Sequence, residues 1–414
     1  MRKMIKKLKE VQEKPDFFRR SFDLTAVMPL AEGIIAEVKS RGDEALREYT
    51  EKFDSVRLKG LEVGQDELEA AKERVDSEML RSIKEAYAAI RNFHYRQKRV
   101  AWTEEFSEGV FIGETYVPLD VVGAYVPASY FSTALMCVIP AKIAGVREIA
   151  VCTPPMADGN VDPCTLVAAD IAGATRIFKV GGAQAIAALA FGTKTIPKVQ
   201  KIVGPGNVYV TAAKMVVREE GVEIDFPAGP SEILILGDET ANPAFIAADM
   251  LAQAEHGTKS ISVLLTDSER IAADVEQKII AKTDGQNWIL LADSMQECID
   301  FANEYAPEHL EIMVKEPIAV LKRIRNAGSV FVGNYSPVAA GDYATGANHV
   351  LPTAGYAKLF SGLDVDHFMH RMTLQWLDKK GLEKMKDVVV KLCEAEDMEK
   401  HARSVEVRFS TEDY

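Results

Sequence analysis

From residue 147 onward, short apolar runs alternate with helical runs, and they do so in two series. The first reads REIAVCTP, DPCTLVAADIAGA, RIFKVGG, AQAIAALAFG, KIVGPG and NVYVTAAKMVVREE. The second begins after residue 230 with EILILGD and ANPAFIAADMLAQAEHG. It continues through SISVLLTD, SERIAADVEQKIIA, WILLADS, MQECIDFANEY, LEIMV and SVFVGN. A strand that is apolar on both faces needs cover on both, and parallel neighbours must be joined by a crossover, usually a helix. The alternation therefore predicts an α/β chain with parallel sheets, and the elements suffice for two such units.

The flanks read differently. Residues before 100 look helical, with Leu68, Ala71, Val75, Leu80, Ile83, Tyr87, Ile90 and Phe93 at helical spacing, and a short β region, GVFIGETYVPLDVVGAYVP, follows. After residue 333 comes a long Gly- and Ala-rich segment, GNYSPVAAGDYATGANHVLPTAGYAKLFSG, then helices and a last expected strand, SVEVRF. Loops of that length inside a compact chain are usually functional. The locally basic start, MRKMIKKLKEVQEKPDFFRR, reads as a solvated helical arm, since it lacks the apolar core of a secretory signal.

At 414 residues the chain has material for two or three domains. A formal net charge of −13 gives no reason to expect nucleic acid as a partner. No stretch approaches the roughly 20 apolar residues needed to span a bilayer, so no membrane is expected and the cytoplasm is the expected location. The five cysteines, Cys137, Cys152, Cys164, Cys298 and Cys393, are scattered and form no C-x-x-C, which argues for buried thiols over disulfides or a thiolate metal site.

Two glycine turns, VGGAQAIAAL and VGPGNVYVTAAK, read as strand, turn and helix N-terminus, an arrangement suited to phosphate, although neither is G-x-G-x-x-G. Gln253 and His256 in LAQAEHG stand three apart on one face of a helix that Gly257 would close, so one ion could meet both. Asp342 in AAGDYATG and His401 in EKHARSV are candidate further ligands, a mixed nitrogen and oxygen set suited to zinc. In YAPEHLEI, Glu308 and His309 sit side by side at an element end, where a carboxylate and an imidazole can serve as a general-base pair. Each of these residues taken singly has a plainer reading as a cap or a surface group.

Taken together and in order, VGGAQAIAALAFGT, KIVGPGNVYVTAAK, DFPAGPSEILI, AQAEHG, YAPEHLEI, GSVFVGNYSPVAAGDYATGANHVLPT and RMTLQ resemble the histidinol dehydrogenase family. The resemblance runs from KSRGDEALREYTEKFD to HARSVEVRF. It implies two Rossmann-like parallel-sheet units with a helical N-terminal arm and a C-terminal tail domain. The expected limits are 1–18 for the arm, 19–123 with 231–363 for one Rossmann-like domain, 124–230 for the other and 364–414 for the tail. It implies oxidation of L-histidinol through the aldehyde to L-histidine with two NAD⁺, one zinc per site, and a homodimer whose tails reach into the partner's site. Carried over by motif, Gln253, His256, Asp342 and His401 are the zinc ligands and Glu308 and His309 the catalytic pair. Ser231, His349 and Glu396 then join these as substrate contacts, and Tyr125, Gln184 and Asn207 touch NAD. In one place the chain departs from the family pattern: YVPASYFSTALM lacks the usual glycine pair and is about three residues short, leaving Ala128 and Ser129 where glycine would turn freely. Two rival readings remain open at this stage, a relative that oxidises another small alcohol such as sulfopropanediol and a zinc-binding protein without redox activity. A thiol route is not expected, because only Cys137, in STALMCVIPA, lies near any of these motifs.

Overall fold

The computed structural model describes residues 5–12, 20, 24–279 and 286–410. The chain opens with β1 (Ile5–Lys7) and α1 (Leu8–Gln12), then runs through α2 (Met28–Arg41), α3 (Asp43–Asp54), α4 (Gln65–Arg74) and α5 (Ser77–Tyr95). The first of these corrects the expected solvated arm. Leu8 and Val11 are buried in the core, and Ile5–Lys7 pair as an edge strand of the larger sheet. Apolar residues spaced among lysines let one side of the segment pack while the charges stay in water. Strands β2 (Trp102–Ser107) and β3 (Val110–Pro118) follow and belong to a smaller unit, described last.

The first parallel sheet is built from β4 (Val121–Tyr125), β5 (Glu148–Thr153), β6 (Arg176–Lys179), β7 (Lys201–Val203) and β8 (Glu223–Ile224). Its crossovers are α6 (Phe131–Ala144), α7 (Pro163–Ala172), α8 (Gly182–Phe191) and α9 (Val208–Glu219). The strand order is β6-β5-β4-β7-β8. Residues 183–190 of α8 are all buried, which explains a helix of alanines with no polar face. The second sheet comprises β9 (Glu232–Gly237), β10 (Ile261–Thr266), β11 (Gln286–Leu291), β12 (His309–Met313) and β13 (Ser329–Val332). Its helices are α10 (Pro243–Ala254), α11 (Glu269–Ile279), α12 (Met295–Tyr305), α13 (Pro317–Leu321) and α14 (Val338–Tyr343). The order is β1-β11-β10-β9-β12-β13. Leaving β1 aside, both sheets start in the middle, wind outward through two strands, then cross back to the other side. Both therefore reverse direction once, between β4 and β7 and between β9 and β12, which is where doubly wound sheets open a crevice.

The turn after β7 shows how tightly one such crevice is built. Gly204 has φ +110°, and a Cβ there would lie 2.1 Å from the Tyr125 carbonyl oxygen at the end of β4. Its N–H donates to Asp225 Oδ2 at 2.8 Å and its carbonyl accepts from Lys214 Nζ at 3.0 Å, while Lys214 and Asp225 form a buried ion pair. One glycine is thus clamped by a charge pair whose members are satisfied by its own peptide groups.

The smaller unit holds residues 98–118 and 369–414, of which those up to 410 are described. Strand β14 (Met369–Leu377) pairs antiparallel with all nine residues of β3, which in turn pairs with β2, and α15 (Lys379–Ala395) and α16 (Glu399–Glu406) follow. The segment 98–118, read from sequence with the first α/β domain, groups with the tail through this ladder. The expected last strand SVEVRF is a correction: it is the end of α16 and a 3-10 turn, Val407–Phe409. In so short a run the two valines fit either period, and an unpaired terminal segment satisfies its backbone groups within itself.

Substituting Gly204→Ala places a methyl group against a backbone oxygen at a positive φ, and is expected to destabilise the protein by about 2–4 kcal/mol. Urea denaturation followed by circular dichroism checks this; an unchanged midpoint would mean the turn relaxes freely.

Candidate active site

β9 and β12 run side by side and parallel, with His309 opposite Ile233 in register. Their amino ends bring Ser231 and Glu232 next to Glu308 and His309. The backbone of Glu232 engages both members of that pair: its N–H donates to Glu308 Oε2 at 2.8 Å, and its carbonyl accepts from His309 Nδ1 at 3.0 Å. Ser231 Oγ donates to the same Glu308 oxygen at 2.7 Å and accepts from Gln253 Nε2 at 3.0 Å. The Glu232 side chain is itself wholly buried, bound to Arg20 Nη1 at 2.6 Å and to the Ala354 N–H at 3.0 Å.

With Nδ1 committed to a carbonyl, His309 presents Nε2 as a lone pair. That nitrogen is buried, has no hydrogen-bond partner among the described residues, and lies 4.0 Å from Asp342 Oδ1. Burial holds the His309 imidazole below its usual range, so it is neutral and able to accept a proton. Burial drives the Glu308 carboxyl the other way, up to about 8, against the stabilising hydrogen bonds from Glu232 and Ser231. Adjacent groups are thus pushed apart in acidity by one cause acting on opposite charges.

His349 donates from Nδ1 to the Asp342 carbonyl at 3.0 Å and accepts at Nε2 from Thr133 Oγ1, 3.3 Å away, and burial lowers it to about 4. His256 is lowered by burial and by the facing His309. It lies just past the end of α10, which stops at Ala254 rather than running to Gly257; Gly257, at φ +108°, turns the chain away. A helix C-terminus carries partial negative charge and favours a cation beside it. A cavity of about 470 Å³ includes Ser231, His256, Glu308 and His349 in its wall, along with the Gly204 turn and Asn207.

A second cavity, about 660 Å³, opens at the carboxyl ends of β4 and β6. Tyr125, Gln184 and Asn207 all line it, and Asn207 lines both cavities. Tyr125 Oη accepts the Gly182 N–H at 3.2 Å, at the start of α8, and burial raises its hydroxyl to about 12. Gln184 Oε1 is buried without a partner among the described residues. Asn207 Oδ1 caps α9, accepting from the N–H groups of Tyr209 and Val210. Both glycine turns thus lead into helix N-termini beside a cavity, as anion binding requires. The short loop turns through Ser129 at φ +63°, a conformation that glycine adopts without strain.

Of the residues singled out from sequence, Ser231, Gln253, His256, Glu308, His309, Asp342 and His349 meet in the larger unit. Glu396, just past α15, and His401, in α16, belong to the smaller unit. Among the described residues no group of three His, Cys, Asp or Glu side chains is gathered as a metal site. The expected set takes only His256 and Asp342 of those types from the larger unit. Sequence reasoning passed over Glu232, Thr133, Lys214 and Asp225. Asp225 and Glu232 stand inside the quoted motif DFPAGPSEILI, but their roles run through backbone groups that a motif does not display.

A family model for histidinol dehydrogenase matches residues 18–409. A histidinol dehydrogenase of Methanosarcina mazei is 50% identical over 424 aligned residues, covering 98% of both chains. One from Archaeoglobus fulgidus is 48% identical, covering 94% of this chain and 97% of its own. The crystal structure of histidinol dehydrogenase from Elizabethkingia anophelis superposes with a TM-score of 0.92 at 40% identity, covering 98% and 97%. The fold and these matches define an NAD-dependent dehydrogenase of the α/β class. Within that class, the chain belongs to the histidinol dehydrogenase family.

A Glu308 carboxyl raised to about 8 is protonated at neutral pH and ionised above that. In metal-free protein, difference infrared spectroscopy between pH 7 and pH 9 is expected to show loss of a buried carboxylic acid band, absent from Glu308→Gln. A band already missing at pH 7 in the wild-type protein would refute the assignment.

Proposed function

We propose that the residues gathered at the amino ends of β9 and β12 carry out the family's four-electron reaction, oxidation of L-histidinol through histidinal to L-histidine. The observation that supports this most is the bare, buried Nε2 of His309 beside a carboxyl group, both held by one residue's backbone.

The donor set suits zinc. His256 is a neutral imidazole, Asp342 supplies a carboxylate, and Gln253 spends its amide nitrogen on Ser231, leaving its oxygen for an ion. His401 would complete the set. When bound, zinc supplies Lewis acidity and an anchor for the substrate's nitrogens, and NAD⁺, touching Tyr125, Gln184 and Asn207, supplies the hydride acceptor.

The chain's own residues do the proton work. In the first half, His309 Nε2 takes the alcohol proton as the neighbouring carbon gives up hydride. Glu308, in the ionised form that grows as the pH passes about 8, then removes a proton from the water that adds to the aldehyde, while protonated His309 returns its proton to the carbonyl oxygen; neutral again, His309 accepts the hydrate's proton in the second oxidation. Ser231 and the Glu232 N–H both hold Glu308 Oε2, which leaves Oε1 to take the water's proton. His349, pinned between Thr133 and the Asp342 carbonyl, fixes the segment bearing Asp342 and closes the cavity wall toward substrate.

We further infer a homodimer in which each tail delivers Glu396 and His401 to the partner's site. The smaller unit supports this with apolar side chains exposed in two rows, Met372, Leu374 and Trp376 on β14 and Val388 and Leu392 on α15. Patches of this kind mark protein contacts. Among the described residues no helix is long and apolar enough to cross a membrane, and the cytoplasm is the proposed location.

His309→Asn is expected to lower kcat by about 10²–10⁴ while zinc content stays at the wild-type level; loss of zinc would mark His309 as a ligand instead. His401→Ala is expected to lose zinc and activity with an unchanged circular dichroism spectrum, and normal zinc content would remove the tail from the ligand set.

A further inference from the structure

The elements that carry Gln253, His309 and Asp342 meet a second time, one repeat away from the site. Glu311 follows His309 by two along β12 and therefore projects from the same face of the sheet. Asp249 precedes Gln253 by about one turn of α10, and Val338, the first residue of α14, precedes Asp342 by the same interval. That face is the one against α10 and α14, since Met313 packs with Ile246, Met250 and Val338, whereas Leu310 and Ile312 pack with the α12 residues on the other. Glu311 is 1% exposed. Its Oε1 accepts the Val338 N–H at 3.0 Å, and its Oε2 is buried with no N–H or O–H donor among the described residues. What faces it is the half-buried carboxyl of Asp249, within hydrogen-bonding reach.

Two ionised carboxylates cannot be neighbours in such a place, so one proton must sit between them. Burial, reinforced by Asp249, raises Glu311 well above the usual carboxylate range, which favours keeping a proton on the pair. A leucine would fill the position without the desolvation that a buried carboxyl incurs, so packing alone does not call for this pair. The pair provides direction: the hydrogen bonds of Glu311 reach α10 on one side and the first N–H of α14 on the other.

We propose that Asp249 and Glu311 act as a proton-sharing carboxyl pair that positions α10, β12 and α14 relative to one another, and so sets the separation of Gln253, His309 and Asp342. The proposal rests on the zinc and base assignments above. Both residues are positioning residues, since neither touches substrate in this reading.

The test uses the full-length protein and three variants, Glu311→Gln, Glu311→Leu and Asp249→Ala, the last at a half-buried helix position where folding is least at risk. Zinc affinity is measured by competition with a chromogenic chelator, kcat with L-histidinol, and thermal midpoint by calorimetry. Glu311→Leu and Asp249→Ala are expected to lose about tenfold or more in zinc affinity, as supporting residues around metal ligands do, and kcat falls with it. Glu311→Gln is expected to stay close to the wild type in both, because its amide N–H stands in for the shared proton and its oxygen still accepts from Val338. Wild-type zinc affinity and kcat in Asp249→Ala, whatever its thermal midpoint, would overturn the proposal. So would a Glu311→Gln variant as impaired as Glu311→Leu. Wild-type protein that takes up no zinc would overturn the parent assignment, and this one with it.

Discussion

The peptide groups of Glu232 are the hinge of the structure. One N–H and one carbonyl, at the amino end of a buried strand, orient a carboxylate and an imidazole contributed by the next strand. Backbone atoms in a parallel ladder are among the least mobile in a protein, so the pair inherits the rigidity of the sheet. The Glu232 side chain, neutralised by Arg20 and bound to the Ala354 N–H, ties that strand end to distant segments.

Burial then does the chemical tuning. The same exclusion of water lowers His309, His349 and His256 and raises Glu308 and Asp342. Imidazoles that stay neutral keep lone pairs for a proton or a metal ion. A carboxyl near neutrality can give up and regain a proton within one reaction cycle. No single residue is exotic; their common environment makes them a working set.

The two sheets share one winding order but use opposite ends. Tyr125, Gln184 and Asn207 lie at the carboxyl ends of the first sheet, the usual place for a nucleotide in doubly wound folds. Glu308 and His309 lie at the amino end of β12, where the C-terminus of α10 also arrives. Amino ends adjoin helix C-termini, whose dipoles suit a cation, whereas carboxyl ends adjoin helix N-termini, whose dipoles suit phosphate. That polarity suits the first site to an anion and the second to a cation.

Much of this was legible in the chain itself. Alternating apolar and helical runs required parallel sheets, because a strand apolar on both faces cannot stand without crossover helices. The motifs around Gln253, Glu308 and Asp342 pointed to the family and to its residues. Local pattern was a weaker guide at the ends: β1 was hidden among lysines, SVEVRF followed helical bonds rather than its valines, and the nine-residue β14 depended on a partner strand far away in sequence. Composition and motif thus determined the fold class and the family. Folding alone decided which backbone atoms hold the site's side chains, that Thr133 meets His349, and that Asp249 faces Glu311, because those contacts join residues 62 to 216 positions apart through geometry that no local period encodes.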